Sequence, residues 1–334
     1  MPELDPVVSL ENVTVMYGSQ AALRDVSTVF PGGAVGLLGP NGAGKSSMIK
    51  SLLGLIVPSR GRMRVLGLDV AHAALQIRAR VGYMPETDSH IPGMNAVSFV
   101  SYCGELAGLP RVDALQRAHE VLFYVGLGEA RYRNVETYSS GMKQRIKLAQ
   151  ALVHDPDLVF LDEPTNGMDP KGRDEMLELV RDLALAKNVN VIVSSHLLPD
   201  IEYTCNHVVV MDKGQIATAG PIAGLKGPQG RVFELRFKIP AAAGMSPIAG
   251  MSAAAGTSAG ARTPVTFDSF LERMRLAGLE CHATEDDVMR VFVPGEGGAR
   301  DIFAIAAAER VQIRHLRPSV PTLEDVFARA VGEE

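Results

Sequence analysis

A chain of 334 residues, 46% hydrophobic and 21% charged, holds enough apolar material for two packed domains, which excludes a small stapled scaffold and a globally disordered chain. The formal net charge of −5 and a pI near 5.9 supply no electrostatic footprint for a polyanion, so no nucleic-acid partner is expected. Mean hydropathy is +0.10, yet no stretch attains the roughly 18–20 uninterrupted apolar residues of a membrane span, and the acidic start Met-Pro-Glu-Leu-Asp is no secretory signal, so the sequence predicts a cytoplasmic chain.

In chain order, the first informative run is the apolar strand 34–38, which leads into Gly39, Pro40, Asn41, Gly42, Ala43, Gly44, Lys45 and Ser46, a match to G-x-x-x-x-G-K-[ST]. The glycines let successive backbone N–H groups close on phosphate oxygens, and the helix expected over 46–53 aims its positive dipole end at the same anion. Lys45 then reaches the β- and γ-phosphates, and Ser46 offers a hydroxyl to Mg²⁺. Farther on, Ser139, Ser140, Gly141 and Met142 precede a helical run at 146–153 and form a second anion cradle, although a Ser-rich N-cap alone accounts for that motif in isolation.

The apolar strand 158–161 ends in Asp162 and Glu163, with Pro164 breaking it. Parallel α/β sheets place ligands beyond the carboxyl ends of their strands, which brings both carboxylates beside the P-loop. There Asp162 would hold Mg²⁺ through water and Glu163 would polarise the attacking water as general base. Another strand run, 189–195, ends at His196, whose imidazole suits contact with a γ-phosphate. Cys103, Cys205 and Cys281 lie far apart and form no CxxC pair, so ordinary buried thiols are expected rather than a disulfide framework or a zinc site.

Residues 1–230 thus read as one α/β unit and 231–334 as a smaller α+β unit. Within the latter, 239–264 collapses into Ala, Gly, Ser, Met and Pro, the composition of a flexible segment. Strands are expected at 231–238, 279–284, 288–293 and 312–317, and helices at 267–277 and 299–309. That is the βαββαβ order of a ferredoxin-like unit. An amphipathic helix over 322–331 opens with Thr322 and stops at Gly332.

The motifs closely resemble, in content and order, the nucleotide-binding subunits of ATP-binding cassette (ABC) transporters, and the resemblance covers about 7–227. It implies an α/β P-loop NTPase cassette, a RecA-like mixed sheet with a helical subdomain at about 87–153, in which 96–109 and 114–125 are helical and face a membrane partner. It implies ATP and Mg²⁺ as cofactors. Tyr17 would stack on adenine, and the P-loop through Ser46 and Ser47 would hold the phosphates. Glu86 would sit in the loop that couples ATP to the partner, and Ser46, Asp162 and Glu86 would surround Mg²⁺.

In this family the signature loop, here Ser139, Ser140, Gly141 and Met142, acts on ATP held by a second cassette, and Asp169 would lie in the loop that crosses between the two. The resemblance therefore implies a homodimer or heterodimer, docked peripherally on the cytoplasmic face against a separately encoded membrane permease. The substitutions Ser140, Met142, Met168 and Glu86, together with the end Leu-Glu-Asp-Val-Phe327, resemble the branch serving ABC-2-type permeases, which are exporters of drugs, lipids and polysaccharides. A cytosolic ABC ATPase acting on ribosomes or nucleic acid is the alternative. It is disfavoured by the single P-loop, by the lack of a heptad-rich insertion between Lys45 and Asp162, and by the net charge. A regulator without turnover would be expected to lose the Glu163 and His196 equivalents, and this chain keeps both.

Overall fold

The computed structural model describes residues 6–88, 90–226, 232–238, 267–283, 289–293, 298–309, 311–319 and 322–331. The Ala/Gly/Ser-rich stretch expected at 239–264 lies outside the described residues. Strand β1 (Val8–Tyr17) sends Val8, Leu10, Val13 and Val15 inward, with a register shift between Leu10 and Val13. It pairs antiparallel with β2 (Gln20–Phe30) on one side. After β3 (Ala34–Leu38) and α1 (Lys45–Leu52), β4 (Arg60–Val65) takes the other side of β1, and the short β5 (Leu68–Asp69) closes that sheet in the order β2-β1-β4-β5.

Helix α2 (Val70–Arg80), capped by the Asp69 side chain, leads to β6 (Val81–Met84). Three helices follow: α3 (Ala96–Leu106), α4 (Arg111–Tyr124) and α5 (Ser140–Leu152). The helix expected over 96–109 stops early because Gly108 turns the chain at φ +101° ahead of Pro110, and the next helix starts at Arg111 instead of 114. α5 corrects the sequence reading more substantially. Helix was expected from 146, but it begins at Ser140, since the Ser139 hydroxyl accepts the Met142 N–H at 3.4 Å and caps it.

The second sheet gathers β7 (Leu158–Asp162), β8 (Asn190–Ser195), β9 (His207–Asp212) and β10 (Gln215–Pro221) with β3 and β6, in the order β10-β9-β3-β8-β7-β6. All pairs are parallel except the β9–β10 hairpin at one edge. β3 and β7 are buried at every position, the pattern of strands covered on both faces, which is why they read as unbroken apolar runs. Helices α6 (Pro170–Leu185), α7 (Leu198–Thr204) and α8 (Ile222–Lys226) complete this unit. Phe30, Leu37, Met48, Ile49, Leu52 and Phe160 belong to one core that joins the two sheets through α1.

The chain divides into two compact units, Met1–Leu225 together with Arg329–Glu334, and Lys226–Ala328, where the sequence places a single boundary near residue 230. The smaller contains β11 (Val232–Lys238), α9 (Phe267–Leu276), β12 (Glu280–Ala283), β13 (Met289–Phe292), α10 (Ala299–Ala308) and β14 (Gln312–Ser319). Its sheet is antiparallel in the order β12-β13-β11-β14, the arrangement of a split βαβ unit. Phe233, Leu235, Phe270, Met289, Val291 and Ile302 share its core. In α11 (Leu323–Val331) the Leu-Glu-Asp-Val-Phe run has a physical reason. Leu323 is buried, and the Asp325 carboxylate accepts from Thr322 N at 2.7 Å and Thr322 Oγ1 at 3.0 Å while Arg290 donates to Thr322 Oγ1 at 2.8 Å.

Candidate functional site

Because β3, β7 and β8 run parallel, their carboxyl ends open on one side, and there a cleft of about 890 Å³ forms between the loop after β3 and the acidic end of β7. The loop Gly39–Gly44 is held by backbone contacts that only glycine permits. Gly44 has φ +104°, and a Cβ there would stand 2.6 Å from the Ala22 carbonyl oxygen. The Gly214 N–H donates to Ala43 O at 3.1 Å and itself accepts, through its carbonyl, from Arg24 N at 2.8 Å, so the turn between β9 and β10 buttresses the loop. α1 begins directly after Gly44, with no acidic residue in its first turn to oppose an anion. The Lys45 ammonium folds over the loop and donates to Gly39 O at 2.6 Å.

Facing it, Asp162 and Glu163 are 2% and 5% exposed. Asp162 lies in register with Ser194 of β8, and its Oδ1 has no hydrogen-bond partner among the described residues. Glu163 leaves the strand through the left-handed region, φ +51°, fixed there as its N–H donates to Ser194 O at 2.9 Å. Such a backbone is uncommon for a residue other than glycine and is concentrated at functional sites. The turn swings the Glu163 side chain toward two partners. Oε1 lies 3.7 Å from Lys45 Nζ and Oε2 2.9 Å from His196 Nδ1. An orphaned carboxylate oxygen on Asp162, in a cleft that Ser46 also lines, fits a hard divalent cation bound through oxygen ligands.

Tyr17, at the end of β1 and 49% exposed, lines the same cleft. Glu86 lines it too, just beyond β6, and is exposed. Gln20, Arg24 and Lys213 are cleft residues that sequence reasoning missed. Gln20 and Arg24 come from β2 and Lys213 from the β9–β10 turn, and no local motif marks them.

A family profile described as "ABC transporter" matches residues 23–166, the segment holding the P-loop, the signature residues and the acidic pair. The bacitracin transport ATP-binding protein of Bacillus licheniformis is 35% identical over 224 residues, covering 67% of this chain and 72% of that protein. The chain belongs to the ABC transporter ATP-binding family. A Nod factor export ATP-binding protein of Cupriavidus metallidurans is 29% identical over 331 residues, 98% of both chains. The solved ATP-binding subunit of an ABC transporter superposes with a TM-score of 0.60 at 27% identity, covering 66% of this chain and 92% of the other. This ABC subunit is therefore an ATPase built on the P-loop cassette fold. Subunits of the family dimerise and work with separate membrane permeases.

The remaining ABC motif residues lie outside the cleft. Ser139 caps α5, and Ser140, Gly141 and Met142 form that helix's first turn. Gly141 sits beside Met168, since a Cβ at this glycine would meet Met168 Cε at 3.5 Å. Asp169 caps α6 by accepting the Gly172 N–H at 3.5 Å. Buried Gln144 donates to Asn166 O at 2.8 Å, and buried Asp200 accepts from Thr165 Oγ1 at 2.6 Å and Arg173 Nε at 2.7 Å. Lys147, also buried, donates to Pro85 O at 3.0 Å and Glu86 O at 2.8 Å. Burial pushes its ammonium below the usual lysine range, against the opposing pull of Asp88, Glu86 and Asp162.

Proposed function

We propose that this subunit powers an exporter, hydrolysing MgATP in the cleft between the P-loop and the β7 carboxylates to drive a separate ABC-2-type permease. The observation that carries this reading is the buried Glu163 carboxylate, held between Lys45 and His196 beside the orphaned oxygen of Asp162. Mg²⁺ supplies charge neutralisation on the triphosphate when bound. Gly39, Pro40, Asn41, Gly42, Ala43 and Gly44 cradle phosphate with their backbone, Lys45 and Ser47 complete the cradle, and Tyr17 stacks on the base. Ser46, Asp162 and Glu86 are the oxygen donors for the cation. Glu163 takes the proton from the attacking water, and His196 orients Glu163 and the γ-phosphate end. Ser139, Ser140, Gly141 and Met142 serve the ATP of the other cassette, and Asp169 lies at the seam between the two.

The direction of transport follows the relative named for Nod factor export. The permease docks in a groove of about 360 Å³ beside the Glu86 loop, where Ile91, Phe99, Tyr102 and Leu106 supply an apolar floor for a short helix. No helix among the described residues is long and apolar enough to cross a membrane; membership of the ABC family is what supports a separate spanning partner and peripheral docking on the cytoplasmic face.

The test is recovery of tagged Glu163→Gln protein from membranes in MgATP, with co-purified chains identified by mass spectrometry. Removing the base traps the ATP-bound dimer, so a multi-span hydrophobic polypeptide is the expected companion. Recovery with ribosomes or nucleic acid and no membrane protein would overturn the reading.

A further inference from the structure

Glu86 and Asn166 line the cleft from two loops far apart in the chain, and both loops are gripped through their backbone carbonyls by one helix. Gln144 donates to Asn166 O at 2.8 Å, and Lys147, one helical turn on, donates to Glu86 O at 2.8 Å and Pro85 O at 3.0 Å. Residues three apart share a helix face, so the buried side of α5 forms a polar floor beneath both loops. The same helix begins with the signature residues. Lysine is a costly choice for a buried holder, because its charge must be desolvated. Here that charge has specific use: Asp88 Oδ1 lies 3.9 Å from Lys147 Nζ, and Asp88 Oδ2 lies 3.1 Å from Lys143 Nζ one turn earlier. β6 ends at Met84, so the Pro85–Glu86 segment has no strand partner to hold it, and these bonds fix it to α5.

We propose that Lys147 is a positioning residue for ATP hydrolysis, a latch that ties the Glu86 loop to the signature helix and so sets where Glu86 stands at the cleft. The proposal rests on the cleft being the MgATP site. Lys147 is not among the residues that line the cleft, and it acts by fixing where Glu86 stands. A loosened loop leaves nucleotide binding by the P-loop intact and lowers the chance that the cleft is correctly assembled when the two cassettes close.

The experiment compares the full chain with Lys147→Met, Lys147→Arg and Asp88→Asn. It measures steady-state kcat and KM for MgATP, and amide hydrogen exchange at residues 86–88 in the nucleotide-free protein. Lys147→Met should lower kcat about tenfold while KM stays within about twofold, the signature of lost positioning rather than lost binding. Exchange at 86–88 should rise about tenfold, and Lys147→Arg, which keeps charge and reach, should recover most of both. Asp88→Asn sits on the exposed side of the latch and should shift both readouts the same way by about two- to threefold, so it decides the matter if Lys147→Met fails to fold. Unchanged exchange and unchanged kcat in a folded variant would overturn the latch, as would faster exchange along all of α5 with no rescue by arginine. A wild-type chain that failed to hydrolyse MgATP would instead count against the cleft assignment, and the exchange comparison, made without nucleotide, would still decide the latch.

Discussion

His196 Nδ1 lies 2.9 Å from Glu163 Oε2, so a side chain at the end of β8 orients a carboxylate at the end of β7, and that carboxylate in turn stands 3.7 Å from the P-loop lysine. Three segments separated in sequence thereby converge on one oxygen pair. Glu163→Gln keeps the shape but removes the base, and kcat for ATP should drop by about 10²–10⁴, the range general-base catalysis supplies. Nucleotide binding should persist, because the P-loop is untouched. His196→Ala should also lower kcat, whereas KM moves little. Filter-binding of ATP alongside a phosphate-release assay separates the two effects, and a Glu163→Gln protein with near wild-type turnover would remove Glu163 from the role of base.

Gly44→Ala tests the loop geometry independently of chemistry. The added methyl would stand 2.6 Å from Ala22 O, at φ +104° where a Cβ is itself strained, so the loop must shift to admit it. A loss of about 1–3 kcal/mol in unfolding free energy is expected together with weakened ATP binding, since the shifted amides no longer converge on phosphate. Denaturant melts and isothermal titration with ATP check both halves. Gly42→Ala, whose Cβ would meet nothing within 4 Å, should be the milder variant, limited to its backbone strain.

Much of this architecture is readable from local sequence because its chemistry is local. The P-loop, the Asp162–Glu163 pair and His196 each follow a fully or nearly buried apolar strand, and parallel topology alone brings such strand ends together. The element order of the small unit was readable for a similar reason, from period and turn signals. What the sequence hid is tertiary. The start of α5 turns on whether the Ser139 hydroxyl closes on Met142 N, and Arg24 of β2 and Lys213 of the β9–β10 turn enter the cleft only because those segments fold against the P-loop. Lys147 reads as an ordinary helix lysine until the Glu86 loop is folded over it.

Glu86 provides a charge test of the cation site. It is exposed, lines the cleft, and carries a carboxylate where the family commonly has a neutral glutamine. Replacing it by glutamine removes a negative charge, which should weaken the pull on Mg²⁺ while easing repulsion of the triphosphate. Solvent screening at an exposed group limits the effect to about 0.5–1 kcal/mol, or about two- to fivefold. The Mg²⁺ half-saturation of ATP hydrolysis in Glu86→Gln should therefore rise by about that factor, and ATP binding without Mg²⁺ should tighten. An unchanged Mg²⁺ titration would place Glu86 outside the cation's reach.

Cys103 offers a reporter of permease docking. It lines the groove formed by Ile91, Phe99, Tyr102 and Leu106, and burial pushes its thiol up to about 11. Since the thiolate is the reactive form, only about one molecule in a hundred is ionised at pH 9, and alkylation by iodoacetamide should be slow there. Its rate should climb roughly tenfold per pH unit until the titration is reached. The sign follows from desolvation of the charged form, which favours the neutral thiol. Cys205 is more deeply buried and is pushed up to about 12, so it should stay unlabelled in the folded chain while Cys103 reacts. When the permease occupies the groove, labelling of Cys103 should fall further. Mass mapping of alkylated peptides with and without the permease measures this directly, and equal labelling in both states would move the docking site away from α3.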